Sequence, residues 1–276
     1  MGRIYFFLFW IFSAIIVVLR IGFDTYVYLN GTTIPYKMVL PGEYQYLLHL
    51  PPGYNDFDNL SPLIVYLHGA GETDKGLGVL KNSDLWHYAK DANISQGNAS
   101  RPSGGEPLEG GAYDPPRFRG FPFIVVSPQT RKHGWQPKQV MQFVEQIVND
   151  PTQRFRIDPG RVYLSGVSMG GFGTFDTACE YPGYFAAIVP VCGGGDPEKA
   201  DKLLTVPTCA FHGDADDVVA NECSSKMIDA VKELGGEHAR LTTLHGAGHG
   251  IAGDVYRRRD LFRRLLEQNK SKQSND

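Results

Sequence analysis

In Gly166-Val167-Ser168-Met169-Gly170-Gly171 a serine stands among glycines, after the apolar run Val162-Tyr163-Leu164-Ser165 and before a stretch of helical character from Gly171 to Tyr181. A GxSxG pattern by itself arises often by chance; the strand before it and the helix after it give it weight. At a strand-to-helix turn of this kind the serine backbone is strained and the flanking chains close in, so small neighbours are required. The turn lifts the hydroxyl above the sheet edge and aims a helix N-terminus at it, where developing negative charge is favoured. A serine hydroxyl attacks only when a base takes its proton and an acid orients that base. Three downstream histidines compete for the base. His238 lies in a polar connection and reads as solvated. His249, in Gly246-Ala247-Gly248-His249-Gly250, follows the last apolar run in a loop able to fold back over a sheet edge; His245 is the runner-up. The acid should follow the run Thr208–Phe211, where His212-Gly213-Asp214-Ala215-Asp216-Asp217 offers three carboxylates. Spacing leaves all three open. As a calcium loop the segment lacks the necessary spread of oxygen ligands.

The oxyanion donors have a candidate in His68-Gly69-Ala70-Gly71-Glu72, a tight turn after the run Leu63–Leu67. A backbone N–H of Gly69 or Ala70, with that of Met169, can hold a tetrahedral oxyanion. His68 finds no second metal ligand at helical or loop spacing and reads as a structural histidine tying the turn. Nucleophile, base, acid and oxyanion donors are all protein groups, so no step calls for a Lewis acid, and neither metal nor cofactor is expected. The loop from Pro128-Gln129 to Trp135 follows another apolar run. Gln129 and Trp135 are expected to line the substrate cleft, with Trp135 as an apolar wall, although a Trp in such a loop more often packs than touches substrate.

These residues need a scaffold. The apolar runs Leu63–Leu67, Phe123–Ser127, Val162–Ser165, Ala187–Val191, Thr208–Phe211 and Arg240–Leu244 alternate with helically spaced sets. Val140, Phe143, Val144, Ile147 and Val148 form one set, Met227, Ile228, Val231 and Leu234 another, and Leu261, Phe262, Leu265 and Leu266 a third. That alternation predicts an α/β fold with a mainly parallel central sheet flanked by helices. Thr33–Leu40 and Tyr44–Leu50, turning at Pro41-Gly42, predict an antiparallel hairpin ahead of it. Residues 82–119 hold Gly104-Gly105, Gly110-Gly111 and Pro115-Pro116 and are expected to be a surface excursion; 269–276 are polar and expected to fray. At 42% hydrophobic and net charge −3, the 276 residues are too apolar for a disordered chain and lack the basic excess of a nucleic-acid binder. Four cysteines are too few for a disulfide scaffold, and their apolar settings favour free thiols. Arg257-Arg258-Arg259 with Arg263-Arg264 reads as the solvated face of the last long helix.

Before the folded body, residues 4–19 are apolar except for Ser13, between Arg3 and Arg20. As a helix this run is about 24 Å long, and extension through Phe23 brings it near the roughly 30 Å hydrocarbon core. Residues 1–23 therefore read as a signal anchor, or as a cleaved signal peptide, with the catalytic body 24–268 outside the cytoplasm: anchored to the membrane, secreted or periplasmic.

With these pieces in place, the chain resembles the α/β-hydrolase superfamily. More narrowly, it is similar to the esterase D/dienelactone-hydrolase-like exported carboxylesterases, a group related to phospholipase/carboxylesterase and polyhydroxybutyrate depolymerase-type enzymes and often labelled predicted peptidases. The similarity runs from about Tyr44 to Gln268. It rests on Tyr66-Leu67-His68-Gly69-Ala70-Gly71-Glu72, Phe123 to Gln129, Gly166 to Gly171, Phe211-His212-Gly213-Asp214-Ala215-Asp216 and Gly248-His249. The resemblance implies Ser168 as nucleophile, Asp216 as acid, since it stands three residues after the His-Gly pair, and His249 as base. Asp217 departs from the pattern, standing where a proline is usual. The implied activity is hydrolysis of carboxylic esters through an acyl-enzyme. A serine peptidase of the prolyl-oligopeptidase type with the same triad is the alternative, and a non-catalytic surface-anchored binding protein is the third reading.

Overall fold

The computed structural model describes residues 36–39, 44–51, 54, 59–94, 121–150 and 155–273. The apolar run 4–19 and most of the 82–119 segment lie outside the described residues. Among the described residues no helix is long and apolar enough to cross a membrane.

Among the described residues eight strands form one sheet: β1 (Tyr36–Val39), β2 (Gln45–His49), β3 (Ser61–Leu67), β4 (Ile124–Gln129), β5 (Ile157–Val167), β6 (Ala187–Val191), β7 (Thr208–Gly213) and β8 (Ala239–Leu244). Eight α-helices accompany them among the same residues: α1 (Leu77–Leu80), α2 (Asp84–Ile94), α3 (Pro137–Val148), α4 (Met169–Glu180), α5 (Glu222–Glu233), α6 (Ala252–Tyr256), α7 (Arg259–Glu267) and α8 (Lys270–Gln273). The strand order is β1-β2-β4-β3-β5-β6-β7-β8. β1 pairs antiparallel with β2, and β2 antiparallel with β4; every later pairing is parallel. The expected hairpin and parallel sheet are both present.

Strands β3 and β4 are buried along their whole length, which is why they read as unbroken apolar runs rather than as alternating ones. Alternate residues nonetheless go to different layers. Leu63, Val65, Leu67, Val126 and Leu164 pack with Val140, Phe143 and Val144 of α3, Phe175 of α4 and Ile228 of α5. Ile64, Tyr66, Val125, Tyr163 and Val189 pack on the opposite face with Leu85 of α2, Tyr256 of α6 and Phe262 of α7. From β3 the chain goes first to β4 on one side, then returns to β5 on the other. A reversal of this kind opens a crevice at the carboxyl ends of β3 and β5, where open α/β sheets bind ligands.

Two expectations are corrected. The excursion does not begin at residue 82: residues 84–94 form α2, with Leu85, Trp86 and Ala89 buried. Three apolar side chains within five residues suffice to dock that helix, although its surroundings are polar and glycine-rich. Residues 270–273 likewise form a helical turn, α8. Lys270 holds it down, its ammonium lying 4.6 Å from the Tyr184 ring centroid and donating to the Tyr184 carbonyl.

Candidate active site

Ser168 lies between β5 and α4 with φ 56° and ψ −118°, a left-handed backbone that only the surrounding chain can impose on a non-glycine residue. Its N–H donates to the Val191 carbonyl at the end of β6, 2.8 Å away. The flanking glycines are obligatory. A side chain at Gly166 would collide with the backbone of Gly170 and with the Leu67 carbonyl, and one at Gly170 would strike that same carbonyl. Met169 opens α4, so its N–H has no partner within the helix.

The turn after β3 comes against this elbow. A methyl group added at Gly69 would sit 3.6 Å from Ser168 Cβ and 3.5 Å from the Val167 carbonyl oxygen. Buried His68 ties the turn down. Its Nδ1 lies 2.6 Å from the Gly69 carbonyl, and its Nε2 accepts the Thr130 N–H at 3.1 Å, so the ring proton belongs on Nδ1. Burial pushes the His68 pKa down, against the opposing pull of the Gly69 carbonyl, which keeps the ring neutral. Gln129 donates to the Glu72 carbonyl at 2.8 Å, and Trp135 Nε1 donates to the His68 carbonyl at 3.0 Å. At 4% exposure Trp135 packs on Tyr44 and His68. Gln129 is also buried. Both hold the turn, and for Trp135 this is the packing role that the sequence allowed beside substrate contact. The indole had to be buried to reach a backbone carbonyl, and no sequence pattern shows that.

Asp216 and His249 come from the loops after β7 and β8, parallel neighbours that bring those loops side by side. Asp216 Oδ2 accepts from His249 Nδ1 at 2.8 Å, and its Oδ1 accepts the N–H groups of Val218 and Val219, each at 2.9 Å. The carboxylate is fully enclosed, while the imidazole keeps 25% exposure. Burial alone would raise the Asp216 pKa. The Val219 and Val218 N–H groups and the His249 ring outweigh it and hold the carboxyl below its usual range. His212, fully buried at the end of β7, donates from Nε2 to the Val219 carbonyl at 2.9 Å and lies 3.3 Å from Asp216. Sequence reasoning missed this brace; its only signal was the histidine of the His-Gly pair.

The rivals are placed elsewhere. His245 pairs with Asp214 at 2.7 Å, but that imidazole is 88% exposed. Asp217 and His238 face solvent. All four cysteines are free; Cys179 and Cys192 are buried, Cys209 and Cys223 partly so. Cys192 follows β6 and joins Asp216 and His249 in a group whose S, O and N atoms lie within 4.8 Å of one another. Burial and the Asp216 carboxylate push its thiol up to about 12, so it is no nucleophile. Val191 thus meets Ser168, and Cys192 meets the His249 carbonyl at 3.4 Å, which puts serine and histidine on either side of one strand end.

Residues 197–270, which carry Asp216 and His249, match the family model described as the prolyl oligopeptidase family. The putative esterase NocK of Nocardia uniformis subsp. tsuyamanensis is 27% identical over 190 residues, 68% of this chain and 49% of that protein. The bifunctional acetylxylan esterase/xylanase XynS20E of Neocallimastix patriciarum is 37% identical over 102 residues, 35% of this chain and 15% of that one. The chain thus spans half or less of the length of these curated relatives. Among solved structures, a thermostable esterase superposes with TM-score 0.64 at 26% identity, covering 86% of this chain and 63% of that one.

Proposed function

We propose that this chain, an α/β-hydrolase in fold, is a serine hydrolase of carboxylic esters acting through an acyl-enzyme on Ser168. One observation carries the reading: an enclosed Asp216–His249 pair ends on the sheet edge where Ser168 is held in a strained turn. In the forward half-reaction His249 Nε2 takes the hydroxyl proton as Ser168 Oγ bonds to the ester carbonyl carbon. Asp216 keeps the ring in the Nδ1–H tautomer and stabilises the imidazolium. The N–H groups of Met169 and of Gly69 or Ala70 receive the oxyanion, and the alcohol leaves with the histidine's proton. Water then repeats the sequence on the acyl-enzyme and releases the acid. No step in this scheme passes through a metal or cofactor, since protein groups fill every role.

Support comes from relatives whose names carry the word esterase, one of them toward acetylxylan. The match to the prolyl oligopeptidase family over the acid and base segment keeps peptide amides as the second reading. Labelling by a fluorophosphonate, followed by assay on p-nitrophenyl acetate to octanoate beside peptide amides, tests both. Label on Ser168 with ester turnover is expected. Turnover of amides alone defeats the ester reading, and absence of label defeats the mechanism. The apolar run 4–19 supports placing the enzyme outside the cytoplasm by anchor or cleaved signal. Full-length protein in the cytosolic fraction would contradict that placement.

A further inference from the structure

Cys192 takes no part in the ester chemistry, yet the fold sets it against the acid and the base. The residue adopts φ 47°, a left-handed backbone costing about 1–3 kcal/mol away from glycine. That turn directs Sγ toward the loop carrying His249. Thiolate, carboxylate and imidazole together are the donors of zinc sites. A tetrahedral ion with sulfur at about 2.3 Å and nitrogen or oxygen at about 2.0–2.2 Å needs its donors roughly 3.3–3.6 Å apart. All three atoms here lie within 4.8 Å of one another, and His249 Nδ1 is 2.8 Å from Asp216 Oδ2. An opening of about half an ångström or slightly more between acid and base, with an approach of the sulfur by up to about 1.2 Å, makes the site. One doubly charged cation against one thiolate and one carboxylate is neutral, which suits an enclosed position. His249 is the solvent-facing member of the group, its side chain keeping 25% exposure.

We propose that Cys192, Asp216 and His249 form an inhibitory site for a thiophilic divalent cation such as zinc or cadmium. The ion takes Sγ, a carboxylate oxygen and Nδ1, with water as fourth ligand. The thiol proton leaves to solvent, and the imidazole proton moves from Nδ1 to Nε2. Nε2 then has no lone pair for the Ser168 proton, and the bound enzyme is idle until the ion leaves. The loss of activity rests on the ester-hydrolase reading; the binding does not.

The test is zinc and cadmium titration of the full chain, read both as ester hydrolysis relative to each protein's own metal-free rate and as calorimetric binding without substrate. Wild type, Cys192→Ala, Cys192→Ser and His245→Gln are compared, the last because the exposed His245–Asp214 pair is the rival zinc ligand set. The half-inhibiting zinc concentration is expected to rise at least tenfold in both Cys192 variants, with the calorimetric site lost. His245→Gln is expected to keep wild-type sensitivity, and a chelator to restore wild-type activity. Unchanged sensitivity and binding in the Cys192 variants, or relief of inhibition by His245→Gln, would overturn the site. If no ester is turned over, calorimetry alone decides. If Cys192→Ala does not fold, the isosteric serine variant carries the comparison.

Discussion

Asp214 and Asp216 stand two residues apart on one loop, and each binds a histidine Nδ1, at 2.7 and 2.8 Å. What separates them is enclosure. Water screens the 88% exposed His245, whereas the Asp216 carboxylate is sealed in and braced by two backbone N–H groups. Ser168→Ala, Asp216→Asn and His249→Ala are each expected to lower kcat by about 10⁴-fold or more with folding retained. Asp214→Asn, Asp217→Asn and His245→Gln should stay within a few-fold of wild type, and a severe Asp217→Asn would reassign the acid. Acid stability gives a second measurement. The folded pKa of Asp216 is depressed, so its contribution is present above the unfolded carboxylate value of about 3.9 and is lost as pH falls through the lower folded value. The gap between the urea midpoints of wild type and Asp216→Asn should therefore narrow as pH falls below about 4; a constant gap would contradict the depression. The three carboxylates were indistinguishable by spacing, because burial and N–H donation belong to the folded loop. Only the family pattern after His212-Gly213 singled out Asp216.

Strands were legible and docking helices less so, for one physical reason. A strand buried on both faces must be apolar throughout, and Leu63–Leu67 and Ala187–Val191 announce themselves. Helix α2 needs only Leu85, Trp86 and Ala89 at the core, too short a pattern to stand out from its polar neighbours. The β3 turn was readable as a candidate oxyanion site from its glycines, but its supports were not. Trp135 and Gln129 act through backbone carbonyls far away in sequence, and such bonds leave no periodicity. Trp135→Phe keeps the ring contacts and removes only the bond to the His68 carbonyl. It is expected to cost about 0.5–1.5 kcal/mol of stability and to lower kcat more than it changes KM, because in the proposed mechanism the turn it steadies holds the oxyanion. An equal rise in KM with unchanged kcat would return Trp135 to the substrate cleft. Gly170→Ala has no accommodating movement, since the group it meets is the backbone carbonyl of Leu67. Insoluble or unfolded protein is expected, and a soluble, active variant would refute the close packing of elbow and turn.

In the whole molecule the proposed chemistry is drawn from four loops that one sheet brings to the same ends of its strands. The candidate oxyanion turn and nucleophile follow β3 and β5, neighbours at the point where the strand order reverses; the candidate acid and base follow β7 and β8 toward one edge. The sheet must therefore stay rigid from its middle to that edge, and its rigidity depends on layers remote from the site. On the face opposite α4, Phe262 of α7 stacks with Tyr88 at 5.0 Å and meets Phe121 and Phe123 at 5.0 and 5.7 Å. This cluster joins α2 and α7 beneath β4 and touches no candidate catalytic group. Phe262→Ala leaves a cavity there and is expected to cost about 3–5 kcal/mol. For a chain of this size that lowers Tm by roughly 6–20 °C. Because the sheet either holds its register or unfolds, kcat measured well below the new Tm should remain within about twofold of wild type. Scanning calorimetry and ester assays at 15 °C and 37 °C separate the cases. A kcat already reduced tenfold at 15 °C, with the protein fully folded, would show that the site depends on this layer for its geometry and not merely for its stability.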